Sequence, residues 1–372
     1  MNDVTIGSLF SGYGGLCELA AAPLLGGRVG WHCEVEPAAA RVLARHWPDT
    51  PNLGDITRVV WESVPAVRVL TGGFPCTDVS AAGRRAGLMP GTRSGLWSVM
   101  RDAVAVLRPE LVLIENVRGL LHAPAHSDLE PCPWCLGDRP DVPALRALGA
   151  VLADLADLGY DAAWCGLPAS AVGAPHARYR IFIAATDTRC HPRPQDDQDI
   201  GPAARHRRPA VAYTDRLGQE RPGQARQRRH GPAHRRDAAA HPDREPLRHQ
   251  PERLTRRDRP AVAGHAGAAA VADVWARYGP AVRRWEQLTG HPAPAPTVPG
   301  RRGGAVLNPA LPEWMMGLPP GHITAVPGLS RADMLRLAGN GVVPQQATAA
   351  LRYLLPLLDT STSGHDAWRE AA

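Results

Sequence analysis

Apolar residues come in short runs along the first half of the chain, and each run ends on a cluster of small or acidic residues. Val4–Phe10 reads as a buried strand running into Gly12-Tyr13-Gly14-Gly15 and then a helical stretch. Arg28–Cys33 predicts a second strand closing on Glu34, with a helix over 37–46 behind it. Val67–Leu70 predicts a third strand before Gly72-Gly73, and the apolar run Glu110–Ile114 a fourth, ending at Glu115-Asn116. Leu145, Leu148, Val151, Leu152, Leu155 and Leu158 recur at helical spacing, and Arg180–Ala185 predicts a further strand. Strands alternating with helices imply a doubly wound, mostly parallel α/β sheet. Ligands of such sheets sit beyond the C-terminal strand ends, where these small and acidic clusters fall.

The pattern breaks near residue 187. Between 201 and 260 there are sixteen Arg and five His against seven acidic residues, with no surviving period. Such a segment is either disordered or a basic excursion that orders on a polyanion. Helical spacing resumes at Ala268–Thr289 (Trp275, Tyr278, Val282, Trp285), a Pro-rich linker is expected over 292–299, and a folded pattern returns at Leu311–Leu318 and Ala332–Leu355. Three regions are therefore expected: a folded domain over 1–186, a basic region over 187–301, and a further folded region over 302–372.

The formal net charge of +6 comes entirely from Arg, because the 372 residues include no Lys. Arg suits phosphates and guanine edges, although an Ala-, Pro- and Arg-rich chain also reflects a GC-rich genome, so charge alone is a weak pointer to nucleic acid. Seven irregularly spaced Cys argue against a disulfide framework. No signal peptide and no long apolar span are visible, and the expected setting is the cytoplasm.

Candidate chemistry gathers at the strand ends. The glycine loop Phe10-Ser11-Gly12-Tyr13-Gly14-Gly15 suits a nucleotide-type ligand, or is a plain tight turn. Glu34 is placed to accept ribose hydroxyls and Asp55, before Ile56, an adenine amino group; either acid could instead cap a helix. Pro75-Cys76 holds a thiol at a strand end, and Glu115 stands at another. A thiolate and a carboxylic acid together suit attack on a pyrimidine at C6 with protonation at N3. Cys132 and Cys135 with His122 and His126 have a zinc-like composition, but one Cys pair falls short of a closed four-ligand signature, and no metal is expected.

Taken in order, these motifs resemble those of the C5-cytosine-specific DNA methyltransferase family. Gly73-Phe74-Pro75-Cys76 with Glu115-Asn116-Val117 resembles its catalytic pair, and Leu9–Gly15 its cofactor loop. Arg93-Ser94-Gly95-Leu96 resembles the motif after the mobile catalytic loop, Arg178-Tyr179-Arg180 the arginines that hold the flipped base, and Gly339-Asn340-Gly341-Val342-Val343-Pro344 the late motif at the cofactor pocket. The resemblance implies a Rossmann-like fold of the class I S-adenosylmethionine-dependent methyltransferases with an inserted recognition region. It implies catalytic roles for Cys76, Glu115, Arg178, Arg180, Pro75 and Asn116. It implies cofactor contacts from Phe10, Ser11, Gly12, Gly14, Gly15, Glu34, Val35, Asp55, Ile56, Pro75, Leu96, Asn340 and Val342.

The implied protein is a nucleoid-associated monomer that methylates double-stranded DNA using S-adenosylmethionine, in or near a restriction–modification system. Residues 77–92, with Arg84 and Arg85, would be the closing loop. Ser8 stands where the family commonly has Asp, and His176 where it often has Gln. The alternatives are an RNA cytosine methyltransferase, a non-catalytic DNA-binding relative, and a dinucleotide oxidoreductase. The last gives no account of Cys76, Glu115 or the two arginines.

Overall fold

The computed structural model describes residues 4–75, 96–121, 124–125, 145–190, 274–300 and 303–358. Cys76, the loop after it, Cys132, Cys135, His122, His126 and the Arg-rich stretch lie outside the described residues.

Six strands form the central sheet: β1 (Val4–Leu9), β2 (Gly27–Cys33), β3 (Val69–Gly72), β4 (Leu111–Val117), β7 (Tyr160–Pro168) and β8 (Tyr179–Asp187). Two-residue strands β5 (Pro124–Ala125) and β6 (Leu145–Arg146) pair separately. The sheet order is β2-β1-β3-β4-β8-β7. The first four strands are mutually parallel, and only β8 runs against its neighbours. The α/β, mostly parallel architecture expected from the alternating runs is the one observed.

Alternation along the strands sorts side chains to two apolar faces. Val112, Ile114, Leu70, Ile181 and Ile183 face one way, against helices α3 (Leu96–Leu107) and α4 (Ala147–Asp157). Leu111, Leu113, Ile6, Phe182 and Ala184 face the other. That second face is covered by one turn of π-helix (Cys17–Ala21), the short helix α1 (Ala22–Leu25) and the long helix α8 (Pro344–Leu358). In α8, Ala347, Ala350, Leu351 and Leu354 fall on one buried stripe. Fully burying a leucine contributes about 2 kcal/mol, so Leu351 and Leu354 weld the late segment to the first strand's layer.

A third apolar cluster lies beside the glycine loop. Tyr13 and residues of α2 (Pro37–His46) meet Trp285 of α5 (Gly279–Thr289), Trp314 of α6 (Ala310–Met315) and Leu337 of α7 (Arg331–Asn340). The Trp285 indole N–H donates to the Trp314 carbonyl at 2.9 Å, and the Trp314 indole N–H to the His291 carbonyl at 3.0 Å. Residues 274–300 thus share their core with 303–343.

Several boundaries differ from the sequence-based expectation. β3 begins two residues later than Val67, because Val69 is the residue in register with Ile6 and Thr71 is buried in the sheet. The expected Pro-rich linker contains a strand, β9 (Thr297–Pro299), paired with β10 (Ala305–Leu307), and the Gly300 N–H donates to the Gly304 carbonyl at 2.7 Å. A proline at a strand's end is tolerated in a two-stranded ribbon. β7 is not among the expected strands: as an edge strand it has only one fully buried residue, Tyr160, and its short run Ala162–Cys165 is half-buried.

Candidate active site

Sheet register gathers the site. Leu9 pairs with Cys33 on one side and Gly72 on the other, and Gly72 pairs with Ile114. The first three strands therefore end level and β4 runs three residues further, so the residues that follow β1–β3 and the last residues of β4 share one edge. The antiparallel β8 brings its beginning to the same edge, with Val117 opposite Arg180. Phe10–Gly15, Glu34-Val35, Gly73–Pro75, Glu115-Asn116 and Arg178–Arg180 are thus side by side although they span 170 residues of chain.

The glycine loop turns sharply off β1. Phe10 takes φ +51°, a left-handed conformation uncommon for a side-chain-bearing residue, while its N–H bonds the Cys33 carbonyl at 2.9 Å. Gly12 takes φ +57°, and nothing lies within 4 Å of where its Cβ would be, so the backbone there faces open space. The Gly12 N–H donates to Glu34 Oε2 at 2.8 Å, and the Glu36 N–H to Glu34 Oε1 at 2.8 Å. Each carboxylate oxygen retains a lone pair. Burial pushes the Glu34 carboxyl above its ordinary range, against the pull of those two bonds. Val35 beside it is 66% exposed, an apolar side chain left without cover. Asn52 fixes the corner, accepting from the Glu34 N–H at 2.9 Å and donating to its carbonyl at 3.0 Å.

Asp55 caps the turn Ile56–Arg58, accepting from Thr57 N–H at 3.0 Å and Thr57 Oγ1 at 2.8 Å, and these bonds hold its carboxyl below the usual range. The capping alternative for Asp55 is therefore realised, and Ile56 is buried behind it. An open glycine backbone, an acceptor on the next strand end, and an exposed valine together fit the ribose and base of an adenosine-containing group. Ser11 sits beneath, its Oγ donating to the Ser8 carbonyl at 3.0 Å, which leaves the Ser8 side chain facing the buried Cys17 rather than the loop.

On the other side of the edge, Glu115 is buried and its Oε1 lies 2.9 Å from Arg180 Nε. Burial raises the Glu115 carboxyl above the ordinary range, although Arg180 and Arg178 both pull it down. The result is a carboxyl that holds a proton more readily than a surface glutamate yet has a cation ready to accept its charge. Asn116 bridges strands, its Nδ2 donating to the Phe74 carbonyl at 3.3 Å, one residue before Pro75. The backbone of Gly73 passes over the carboxylate, with its Cβ position 3.2 Å from Glu115 Oε2. The strand-end segment that leads into Cys76 is thus held directly against Glu115 and Asn116. Leu96, which opens α3, is half-buried against the same core as Phe10.

The late motif also reaches this edge. The Tyr13 hydroxyl donates to the Val342 carbonyl at 2.7 Å, and a Cβ on Gly15 would lie 2.5 Å from that same oxygen. Asn340, the last residue of α7, is exposed. Gly14 and Gly15 therefore serve close packing, and Gly12 the open face. His176 Nε2 is bonded to the Met315 carbonyl at 2.9 Å, so this nitrogen fastens α6 and does not face a base.

Tyr13 and His322 were not singled out from sequence. His322 Nε2 bonds the Tyr13 carbonyl at 2.9 Å, with burial lowering its pKa, and stacks on His46 at 4.2 Å. The loop bearing His322 is itself gathered on the buried Glu313 carboxylate, which accepts the N–H groups of Gly321, Ile323 and Thr324. An aromatic inside a glycine loop was the one available signal for Tyr13; His322 had none.

Comparison with known proteins follows this geometry. The chain is 33% identical over 153 residues to the type II methyltransferase M.NlaIV of Neisseria lactamica, a stretch covering 41% of this chain and 33% of that protein. It is 31% identical over 190 residues to M.NgoBV of Neisseria gonorrhoeae, covering 50% and 42%. A DNA N-6-adenine-methyltransferase of Escherichia phage P1 is 32% identical over 154 residues, covering 35% and 20%. The matches thus span less than half the length of each relative. The family model for C-5 cytosine-specific DNA methylases matches residues 4–207, more than half of the chain. The chain belongs to the C-5 cytosine-specific DNA methylase family.

Proposed function

We propose that this protein is a DNA (cytosine-5)-methyltransferase that uses S-adenosylmethionine and acts on a cytosine turned out of duplex DNA. The observation that carries this reading is the buried Glu115, paired with Arg180 and held against the strand end that leads through Phe74 and Pro75 into Cys76. Methylation of an exocyclic nitrogen needs no covalent thiol, and enzymes of that kind carry an Asp/Asn/Ser-Pro-Pro-aromatic motif where this chain has Phe74-Pro75-Cys76.

S-adenosylmethionine supplies an electrophilic methyl carbon; the loop Phe10–Gly15, Glu34, Val35, Asp55 and Ile56 would hold its adenosine, and Val342 and Asn340 the pocket's far wall. Extruding the base costs a few kcal/mol of stacking and pairing. The Cys76 thiolate then forms a bond to C6 while Glu115 delivers its proton to N3. The electron pair released at C5 would take up the methyl group as its bond to the donor's sulfur breaks, and S-adenosylhomocysteine would depart with that bond's electron pair. Loss of the C5 proton to solvent restores the C5–C6 double bond, expels the Cys76 thiolate, and lets the N3 proton return to Glu115. Arg180 steadies the carboxylate during the interval in which it is charged.

Expression in a methylation-free host tests the reading as a whole. Nucleoside analysis of the genomic DNA should show 5-methyldeoxycytidine, and bisulfite sequencing should place it in one recurrent sequence. Finding N6-methyldeoxyadenosine alone would overturn the assignment.

The Arg-rich 201–260 stretch is the proposed DNA-reading part. Deleting it should weaken DNA binding at least about tenfold while leaving calorimetric binding of S-adenosylhomocysteine nearly unchanged, because the cofactor residues lie elsewhere. Loss of cofactor affinity on deletion would place the segment in the catalytic fold instead. No helix among the described residues is long and apolar enough to cross a membrane. We further propose that the protein works as a monomer at the nucleoid.

A further inference from the structure

The two arginines of Arg178-Tyr179-Arg180 do different things. Arg180 points at Glu115, with Nε 2.9 Å from Oε1. Arg178 turns the other way. Both of its terminal nitrogens donate to the Gly339 carbonyl at 3.0 Å, and Nη2 also donates to the Gly341 carbonyl. Its Nε is buried with no acceptor among the described residues. The backbone at Arg178 takes φ +22°, outside the extended range of the strand that follows, which is what redirects its side chain away from that of Arg180.

The segment that Arg178 grips is the one that closes the cofactor side. Gly341 lies flat against the Tyr13 ring, where a Cβ would overlap the ring carbons, and the next residue's carbonyl accepts the Tyr13 hydroxyl at 2.7 Å. The grip is reciprocal. Gln346, in the first turn of α8, donates through Nε2 to the Arg178 carbonyl at 2.9 Å and to the Leu167 carbonyl at 2.6 Å. Main chain of one segment is held by a side chain of the other in both directions. Three of the five N–H donors of this guanidinium are committed to those two carbonyls.

We infer that Arg178 is a positioning residue for the cofactor pocket rather than a contact to the flipped base: it latches Gly339–Gly341 so that Val342 seats on Tyr13 and Gly15. The inference rests on the proposed function for the identity of the ligand, but the latch itself does not. Arg178→Ala should raise the dissociation constant of S-adenosylhomocysteine about tenfold, the scale of one charge-assisted hydrogen-bond group lost. The KM for S-adenosylmethionine should rise with it, while the affinity for target DNA stays within about twofold. Arg178→Lys keeps part of the grip and should recover part of the loss. Arg180→Ala should do the reverse, leaving S-adenosylhomocysteine binding intact and removing turnover.

Hydrogen exchange over 339–343, measured without any ligand, should be faster in Arg178→Ala than in the parent. Unchanged exchange there would overturn the latch whatever the cofactor is. Faster exchange in Arg178→Ala, together with a parent protein that binds no S-adenosylhomocysteine, would instead leave the latch standing and remove the cofactor assignment. If Arg178→Ala does not fold, Arg178→Lys decides: weaker binding of target DNA with unaltered exchange and unaltered S-adenosylhomocysteine affinity would put Arg178 at the base and overturn the proposal.

Discussion

Replacing Cys76 with serine is expected to remove methyl transfer by at least about 10³-fold while S-adenosylhomocysteine binding stays near the parent value. The hydroxyl of serine is far less acidic than a thiol and does not add to C6 at neutral pH. Cofactor affinity is spared because Phe10–Gly15 and Glu34 follow β1 and β2, whereas Cys76 lies beyond β3. Tritiated-methyl incorporation into DNA measures the first quantity and calorimetry the second. The parent enzyme should also be trapped on an oligonucleotide carrying 5-fluorocytosine, because fluorine at C5 cannot leave as a proton does. A serine variant that transfers methyl groups at a comparable rate, or a parent enzyme with no cofactor-dependent band on a denaturing gel, would sink the covalent mechanism.

Glu115→Gln is expected to lower turnover by about 10²–10⁴-fold, the span typical of a positioned acid–base group. The amide is nearly isosteric, so Arg180 loses a charged partner but the strand end keeps its shape. The pH profile gives a sharper test. Burial raises the Glu115 carboxyl, with Arg180 and Arg178 opposing, and the reaction needs the protonated acid to reach N3. Parent activity should therefore fall as pH rises through that raised pKa, and this alkaline decline should disappear in the glutamine variant. A variant that keeps the parent's alkaline decline would assign it to another group and leave Glu115 as a hydrogen-bond acceptor only.

Much of the sheet was legible in the sequence because β1 and β4 are almost wholly buried, which favours short apolar runs. Helix α2 announced itself by Pro37 at its start and by Glu36, whose side chain accepts the Ala39 N–H at 2.7 Å. The edge strand β7 was silent for the opposite reason: eight of its nine residues are only half-buried, and Gly166 and Pro168 interrupt it. At the site, residue types identified Glu115 and its neighbours, since a carboxyl at a strand end is a local signal. What Arg178 holds was not legible, because its acceptors are backbone carbonyls 161 and 163 residues away that carry no side-chain signature. The same distance hid the partnership of Tyr13 with Val342.

The Tyr13–Val342 bond joins residues 329 positions apart, and this separation has a consequence for how the protein is born. A ribosome adding about 5–20 residues per second takes roughly 20–60 s to travel from one to the other. Throughout that interval the nascent chain carries its glycine loop without the wall that completes it, and one face of the sheet without α8. On the proposed reading, competence to bind the methyl donor is therefore acquired only after α8 has been made, and chains abandoned before residue 342 are expected to be inert.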